Sequence, residues 1–220
     1  KMINCKLNSG TGNNFIVVYN KDGNILPGWP IYLGNNDILS FLTTPAIGNF
    51  DDDKDFEIVL AGAATNTGND GIIHIFNKDG SEINGWPKII SGGLISTSPV
   101  IGDVNNDGKD EIVISLSYFS GYIPHRDIPD KGGLYIFDRV GNNLVGWPYG
   151  RDVGRMFVSA PALSDLDGDK YLEVATSEYY GLNNLVLKHN GLISLGWPQD
   201  TGEPDLYATV ISDTPAYGKI

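Results

Sequence analysis

Three observations predict an all-β fold of four repeats. First, a Gly-Trp-Pro triplet recurs at Trp29, Trp86, Trp147 and Trp197, with spacings of 57, 61 and 50 residues. Second, a glycine stands six residues before each tryptophan (Gly23, Gly80, Gly141, Gly191), and a short apolar run precedes it at 15–19, 72–76, 134–137 and 185–187. Third, Pro45, Pro99, Pro161 and Pro215 mark another shared position. Helix-length patterns are absent, and Gly 28 with Pro 12 in 220 residues suits many short strands joined by turns.

One unit illustrates the elements. Residues 98–102 read as a first strand, 103–111 as an acidic loop, and 112–117 as a second strand rich in branched side chains. Residues 133–138 form a third strand, 140–143 a turn around Gly141, and 144–149 a fourth strand at an edge. Pro148 suits that edge because it cannot donate to a ladder. Four strands in a unit of roughly 40–50 residues is the pattern of a β-propeller blade. Strands apolar on both faces fit sheets packed between two neighbours.

The ends suggest a circular arrangement. Pro215-Ala216-Tyr217-Gly218 repeats Pro99-Val100-Ile101-Gly102, and then Lys219 stands where a first acidic ligand is expected. Residues 2–7, 15–19 and 25–31 resemble strands two to four of a blade. The expectation is a single propeller domain over 1–220, closed by pairing the C-terminal strand with the N-terminal blade. Blade 1 takes 1–33 plus 208–220, blade 2 takes 41–90, blade 3 takes 95–150 and blade 4 takes 156–200. Closure removes open sheet edges. The alternatives are a slice of a larger propeller, or a homodimer forming an eight-bladed ring.

Three acidic loops share the spacing 1, 3, 5, 9. They are Asn49, Asp51, Asp53, Glu57; then Asp103, Asn105, Asp107, Glu111; then Asp165, Asp167, Asp169, Glu173. Each follows a Pro-Ala or Pro-Val pair at one fixed distance. Oxygen side chains at alternate positions of a tight turn can converge on a hard cation such as Ca2+. The plain alternative is a solvated turn, since Asp and Asn are common turn residues.

These motifs resemble the FG-GAP, or VCBS-like, repeat family, which includes integrin α-subunit blades and many exported bacterial proteins. The resemblance is strongest over 98–108 and the Gly-Trp-Pro that follows. It implies calcium between the first and second strands of three blades, held by side chains 1, 3, 5 and 9 and by the carbonyl of position 7. Those carbonyls belong to Asp55, Lys109 and Tyr171. Position 6 departs from the family's glycine at Lys54 and Lys170, where a left-handed turn strains a side chain. Gly108 keeps the pattern, so the second loop is the best-matched site.

The formal charge of −12 argues against nucleic acid and against anionic lipid surfaces, both of which attract basic residues. Three divalent ions would halve it. Cys5 is the single cysteine, so no intrachain disulfide forms. No apolar run reaches a membrane span, and the first residues lack the apolar stretch of a signal peptide. Calcium loops of modest affinity suit an extracellular or cell-surface protein of bacterial or archaeal type.

The tryptophans read either as a sugar-stacking platform or as plugs between blades, and their fixed place in every repeat favours plugs. His74, in a strand, reads as packed, and His189, beside Asn190-Gly191, as facing solvent. An insertion at 118–131 carries Tyr118, Phe119, Tyr122, His125 and Arg126, a composition suited to binding a ligand or equally to a neutral loop. No catalytic triad, phosphate loop or zinc cluster is discernible. The functional expectation is a non-enzymatic extracellular module that binds protein or glycan. The alternatives are part of a calcium-dependent polysaccharide lyase, or an architectural spacer.

Overall fold

The longer strands are buried at successive positions, not at alternate ones. A computed structural model describes residues 2–6, 14–33, 43–51, 53–64, 70–95, 97–117, 132–150, 157, 159–178 and 183–200. Among them, every regular element is a β-strand.

The strands form four antiparallel sheets in chain order. Sheet 1 holds β1 (Met2–Lys6), β2 (Asn14–Tyr19) and β3 (Ile31–Leu33). Sheet 2 holds β4 (Ala46–Gly48), β5 (Glu57–Ala64), β6 (Asp70–Phe76) and β7 (Lys88–Ile90). Sheet 3 holds β8 (Leu94–Ile95), β9 (Val100–Gly102), β10 (Glu111–Ser117) and β11 (Gly133–Phe137). Here β8 and β9 both pair with β10, at opposite ends of it. Sheet 4 holds β12 (Ala162–Ser164), β13 (Glu173–Ser177), β14 (Asn183–Leu187) and β15 (Gln199–Asp200).

The period of two distributes the core to both faces of a sheet. On β5, Ile58 and Leu60 pack toward sheet 1, while Val59 and Ala61 pack toward sheet 3. On β10, Ile112, Ile114 and Leu116 join the core shared with sheet 2, and Val113 joins that shared with sheet 4. Successive sheets therefore pack face to face through three buried clusters.

The tryptophans seal these junctions. Trp29, Trp86 and Trp147 are each 7% exposed. Trp29 meets Phe76 edge-on with ring centroids 5.9 Å apart, and Trp86 meets Phe137 in the same way at 6.4 Å. Each indole Nε1 donates to a turn carbonyl of the following sheet: Trp29 to Lys78 at 3.0 Å, Trp86 to Arg139 at 2.8 Å and Trp147 to His189 at 2.8 Å. An indole buried with its N–H satisfied is a packing element, so the plug reading holds for these three. Gly28 shows how tight a junction is. It sits at φ 87°, and a Cβ placed there would lie 1.6 Å from the Asp79 carbonyl oxygen.

The structure corrects the placement of the fourth strand. The expected 25–31 and 144–149 straddle the Gly-Trp-Pro triplet, but β3 and β7 begin after it. Before it the backbone turns, with the Trp29 N–H bonded to the Leu26 carbonyl at 3.2 Å, so that segment cannot offer a continuous ladder. In sheet 3 the fourth strand is reduced to a bridge between Leu134 and Tyr149. His189 is also corrected: its ring stacks on Tyr171 with centroids 4.0 Å apart. His74 is buried as expected, stacked on Phe76 and bonded through Nδ1 to Glu82 at 2.7 Å. The expected strand at 208–220, and with it the closing pair, lies outside the described residues.

Candidate cation loops

Each acidic loop closes a hairpin between the first two long-paired strands of its sheet. The registers coincide: Gly48 pairs with Glu57, Gly102 with Glu111, and Ser164 with Glu173. Position 9 is thus drawn beside the residue that precedes position 1. All three glutamates are buried.

One hydrogen bond recurs in every loop. The Oε2 of position 9 accepts from the backbone N–H of position 2: Phe50 to Glu57 at 2.9 Å, Val104 to Glu111 at 2.8 Å, and Leu166 to Glu173 at 2.7 Å. Position 2 also anchors the first two loops, since Phe50 and Val104 are fully buried in the clusters shared with the next sheet.

The remaining carboxylates curl the loop around themselves. Asp103 accepts from the amides of Asp107 and Gly108, each at 2.9 Å. Asp165 accepts from Gly168 at 2.7 Å and from Lys170 at 3.1 Å. Asp51 accepts from Asp53 at 2.9 Å, and Asp53 from Asp55 at 2.6 Å. Lys170 does take the left-handed backbone expected at position 6, with φ 76°, matching Gly108 at 88°.

The oxygens of the first and third loops suit a divalent ion. Asp51, Asp53 and Glu57 each bring an oxygen within 4.8 Å of the others, as do Asp165, Asp167 and Glu173. Among the described residues, Asn49 Oδ1 and Glu173 Oε1 are buried without a hydrogen-bond partner. Such orphans are costly unless something else satisfies them. In the second loop the amide of Asn105 instead donates to Glu111 Oε1 at 3.2 Å. Its Asp103, Asp107 and Glu111 make no equally tight trio among the described residues.

Burial raises the glutamate pKa values, and the neighbouring carboxylates add to it. Burial pushes Glu111 up to about 7; the Val104 N–H opposes the rise, while Asp107 and Asp103 add to it. Burial also raises Glu57, opposed by the Phe50 N–H and reinforced by Asp51 and Asp53. Glu173 rises for the same reason, with Leu166 opposing and Asp167 and Asp169 reinforcing. A bound cation would favour the ionised forms.

Two lysines complete the electrostatics, and sequence reading missed both. Lys188 Nζ lies 2.6 Å from Asp167 Oδ2 and 3.9 Å from Asp169 Oδ2. That contact lowers the Asp167 pKa and raises that of Lys188. Lys78 Nζ contacts both oxygens of Asp55, at 2.9 and 3.1 Å. A signal for Lys188 exists in the repeat: three residues before the turn glycine, the other units carry Asn20, Asn77 and Asp138. Next to the first loop, Leu26, Pro27, Asn77, Lys78 and Asp79 line a cleft of about 580 Å³ that also includes its carboxylates.

Tyr118, Tyr122, His125 and Arg126 lie outside the described residues. The candidate ligand positions of all three loops are described, the backbone carbonyls of Asp55, Lys109 and Tyr171 included as positions.

The comparisons with known proteins bear on this geometry. Residues 49–114 match the model of the FG-GAP-like repeat family. They span the first two acidic loops, so that stretch is similar to an FG-GAP-like repeat. Human integrin alpha-IIb is 26% identical over 142 residues, which is 62% of this chain. The chain covers only 14% of that integrin's length. The crystal structure of the V. cholerae biofilm matrix protein Bap1 is similar at a TM-score of 0.37 and 17% identity. That similarity covers 88% of this chain and 34% of the other. No helix among the described residues is long and apolar enough to cross a membrane.

Proposed function

We propose that the protein is a calcium-binding, adhesion-type module of extracellular location, non-enzymatic, whose ions are structural. The observation that carries this reading is the recurrence of one loop geometry three times. A buried glutamate bonds the position 2 amide, and acidic side chains gather at the mouth of the same hairpin. The ligands are the side chains of positions 1, 3, 5 and 9, with the carbonyls of Asp55, Lys109 and Tyr171. The ion neutralises carboxylates that otherwise repel, and it ties β4 to β5, β9 to β10 and β12 to β13.

The four sheets are read as propeller blades over 1–33, 41–90, 95–150 and 156–200, with 208–220 completing a first blade in the same chain or in a neighbouring copy. A rigid stack of this kind presents loops for a protein or glycan partner, and 118–131 has the aromatic and basic composition for that contact. FG-GAP-type sequence and the similarity to integrin alpha-IIb support the class of module.

Titration calorimetry with calcium tests the proposal. The expected result is up to three bound ions per chain, reduced by one in Asp107→Ala. Absence of heat and of any bound calcium after gel filtration would refute it.

A further inference from the structure

Sheets 1 and 4, the outermost of the described sheets, carry complementary halves of a contact that the chain makes internally. At the first junction a Cβ on Gly28 would lie 1.6 Å from the Asp79 carbonyl oxygen, and one on Gly80 would lie 2.8 Å from the Gly28 oxygen. At the third junction a Cβ added to Gly146 would overlap the Asn190 carbonyl oxygen, and one added to Gly191 would overlap the Gly146 oxygen. In each case the Gly-Trp element of one sheet grips the turn of the next, and the tryptophan donates into it.

Gly196 and Trp197 form the same element on sheet 4, with Gly196 at φ 89° as in its counterparts. Among the described residues, a Cβ on Gly196 meets nothing within 4 Å. Trp197 is less buried than the other three tryptophans. Leu166, at position 2 of the third loop, is 46% exposed, whereas Phe50 and Val104 are sealed by the following sheet. This end is built to hold a turn and holds none among the described residues.

The matching turn is at the other end. Lys21-Asp22-Gly23 occupies the register of Lys78-Asp79-Gly80 and His189-Asn190-Gly191. Asn20 Oδ1 accepts from the amides of Asp22 and Asn24, each at 2.9 Å, so the turn is preformed. Gly23 has φ 80° against 85° at Gly80, yet among the described residues nothing lies within 4 Å of its added Cβ. The chain's own 20–24 turn is therefore not seated on its own Gly196–Trp197.

We propose that these surfaces join two copies of this chain head to tail. The Gly196–Trp197 element of one copy grips the 20–24 turn of the other, with the Trp197 indole donating to the Lys21 carbonyl. A heterologous contact of this kind gives a closed ring if its rotation closes, and two copies then bury both ends.

Sedimentation velocity in millimolar calcium, which offsets the −12 charge, tests this over a range of concentrations. The expected mass rises from 23.8 kDa to about twice that. Gly196→Asn and Gly23→Asn fill the contact from either side, and Asn tolerates positive φ. Each should hold the protein at the single-chain mass with its melting temperature within a few degrees of the parent. Mixing the two variants pairs one intact Gly-Trp element with one intact turn, and should restore association. A parent that stays at 23.8 kDa at every concentration overturns the proposal and favours closure within one chain or an unpaired end. Association that persists in both variants overturns it as well.

Discussion

The carboxylate of Glu111 accepts a 2.8 Å hydrogen bond from the backbone N–H of Val104 across the mouth of the second loop. Val104 is itself fully buried against sheet 4. One side chain thus ties the loop's entry to its exit and, through Val104, to the next sheet. Glu111→Ala strands a buried amide and should cost about 1–3 kcal/mol even without calcium. Glu111→Gln keeps an acceptor oxygen and should cost less in chelator while losing most of the calcium response. Urea denaturation with and without the ion separates the two effects.

Stability should depend on pH in a direction opposite to that of most carboxylates. The folded state raises Glu111 to about 7 from 4.5, and raises Glu57 and Glu173 as well. A raised carboxyl binds its proton more tightly when folded. Its contribution is complete below 4.5 and is lost as pH climbs through about 7. In chelator, denaturation midpoints should therefore fall between about pH 5 and about pH 7.5. Saturating calcium favours the ionised forms and should flatten that fall. A profile in chelator that rises with pH would contradict the assigned shifts.

Chelation should lower the melting temperature. Binding to the folded state alone adds RT ln(1 + [L]/Kd), about 2.7 kcal/mol per site at a hundredfold excess over Kd. Differential scanning calorimetry in calcium and in excess chelator measures the loss. An unchanged melt would remove the structural role of the ion.

Lys188 places an ammonium 2.6 Å from Asp167, where a divalent ion would compete with it. Lys188→Met should tighten calcium binding at the third loop by several-fold and leave the other loops unchanged. Isothermal titration against a background of Asp107→Ala reads this directly. Unchanged affinity would mean that the ammonium swings aside at no cost.

Trp86 fills the junction of sheets 2 and 3 and donates to the Arg139 carbonyl at 2.8 Å. Trp86→Ala should destabilise by about 3–5 kcal/mol, the range for emptying a large aromatic site. Trp86→Phe keeps the ring contact with Phe137 but not the donor, and should cost roughly 1–3 kcal/mol through the unpaired carbonyl. Thermal melts at fixed calcium rank the pair.

Much of this architecture is legible in the amino-acid sequence. Local periodicity announces where strands lie, because branched residues such as Ile72, Ile73 and Ile75 suit a pleated surface whichever neighbour covers them. The equal spacing of Glu57, Glu111 and Glu173 likewise announces equivalent hairpins. The fourth strand was misplaced because one residue pattern around Trp29 serves both a turn and a strand. The backbone bond from Trp29 to Leu26 decides between them.

The repeat, the strands and the residue at each loop position all follow from short-range spacing along the chain. Which oxygens are satisfied follows from how the sheets pack. Asn49 Oδ1 is left buried and open, while Glu111 Oε1 is taken by Asn105. The same packing brings Lys188 to the third loop and leaves Gly196 and Gly23 with no described residue within 4 Å of an added Cβ. Those outcomes depend on distances between segments far apart in the chain, and a linear pattern carries no information about which of several equivalent partners a side chain meets.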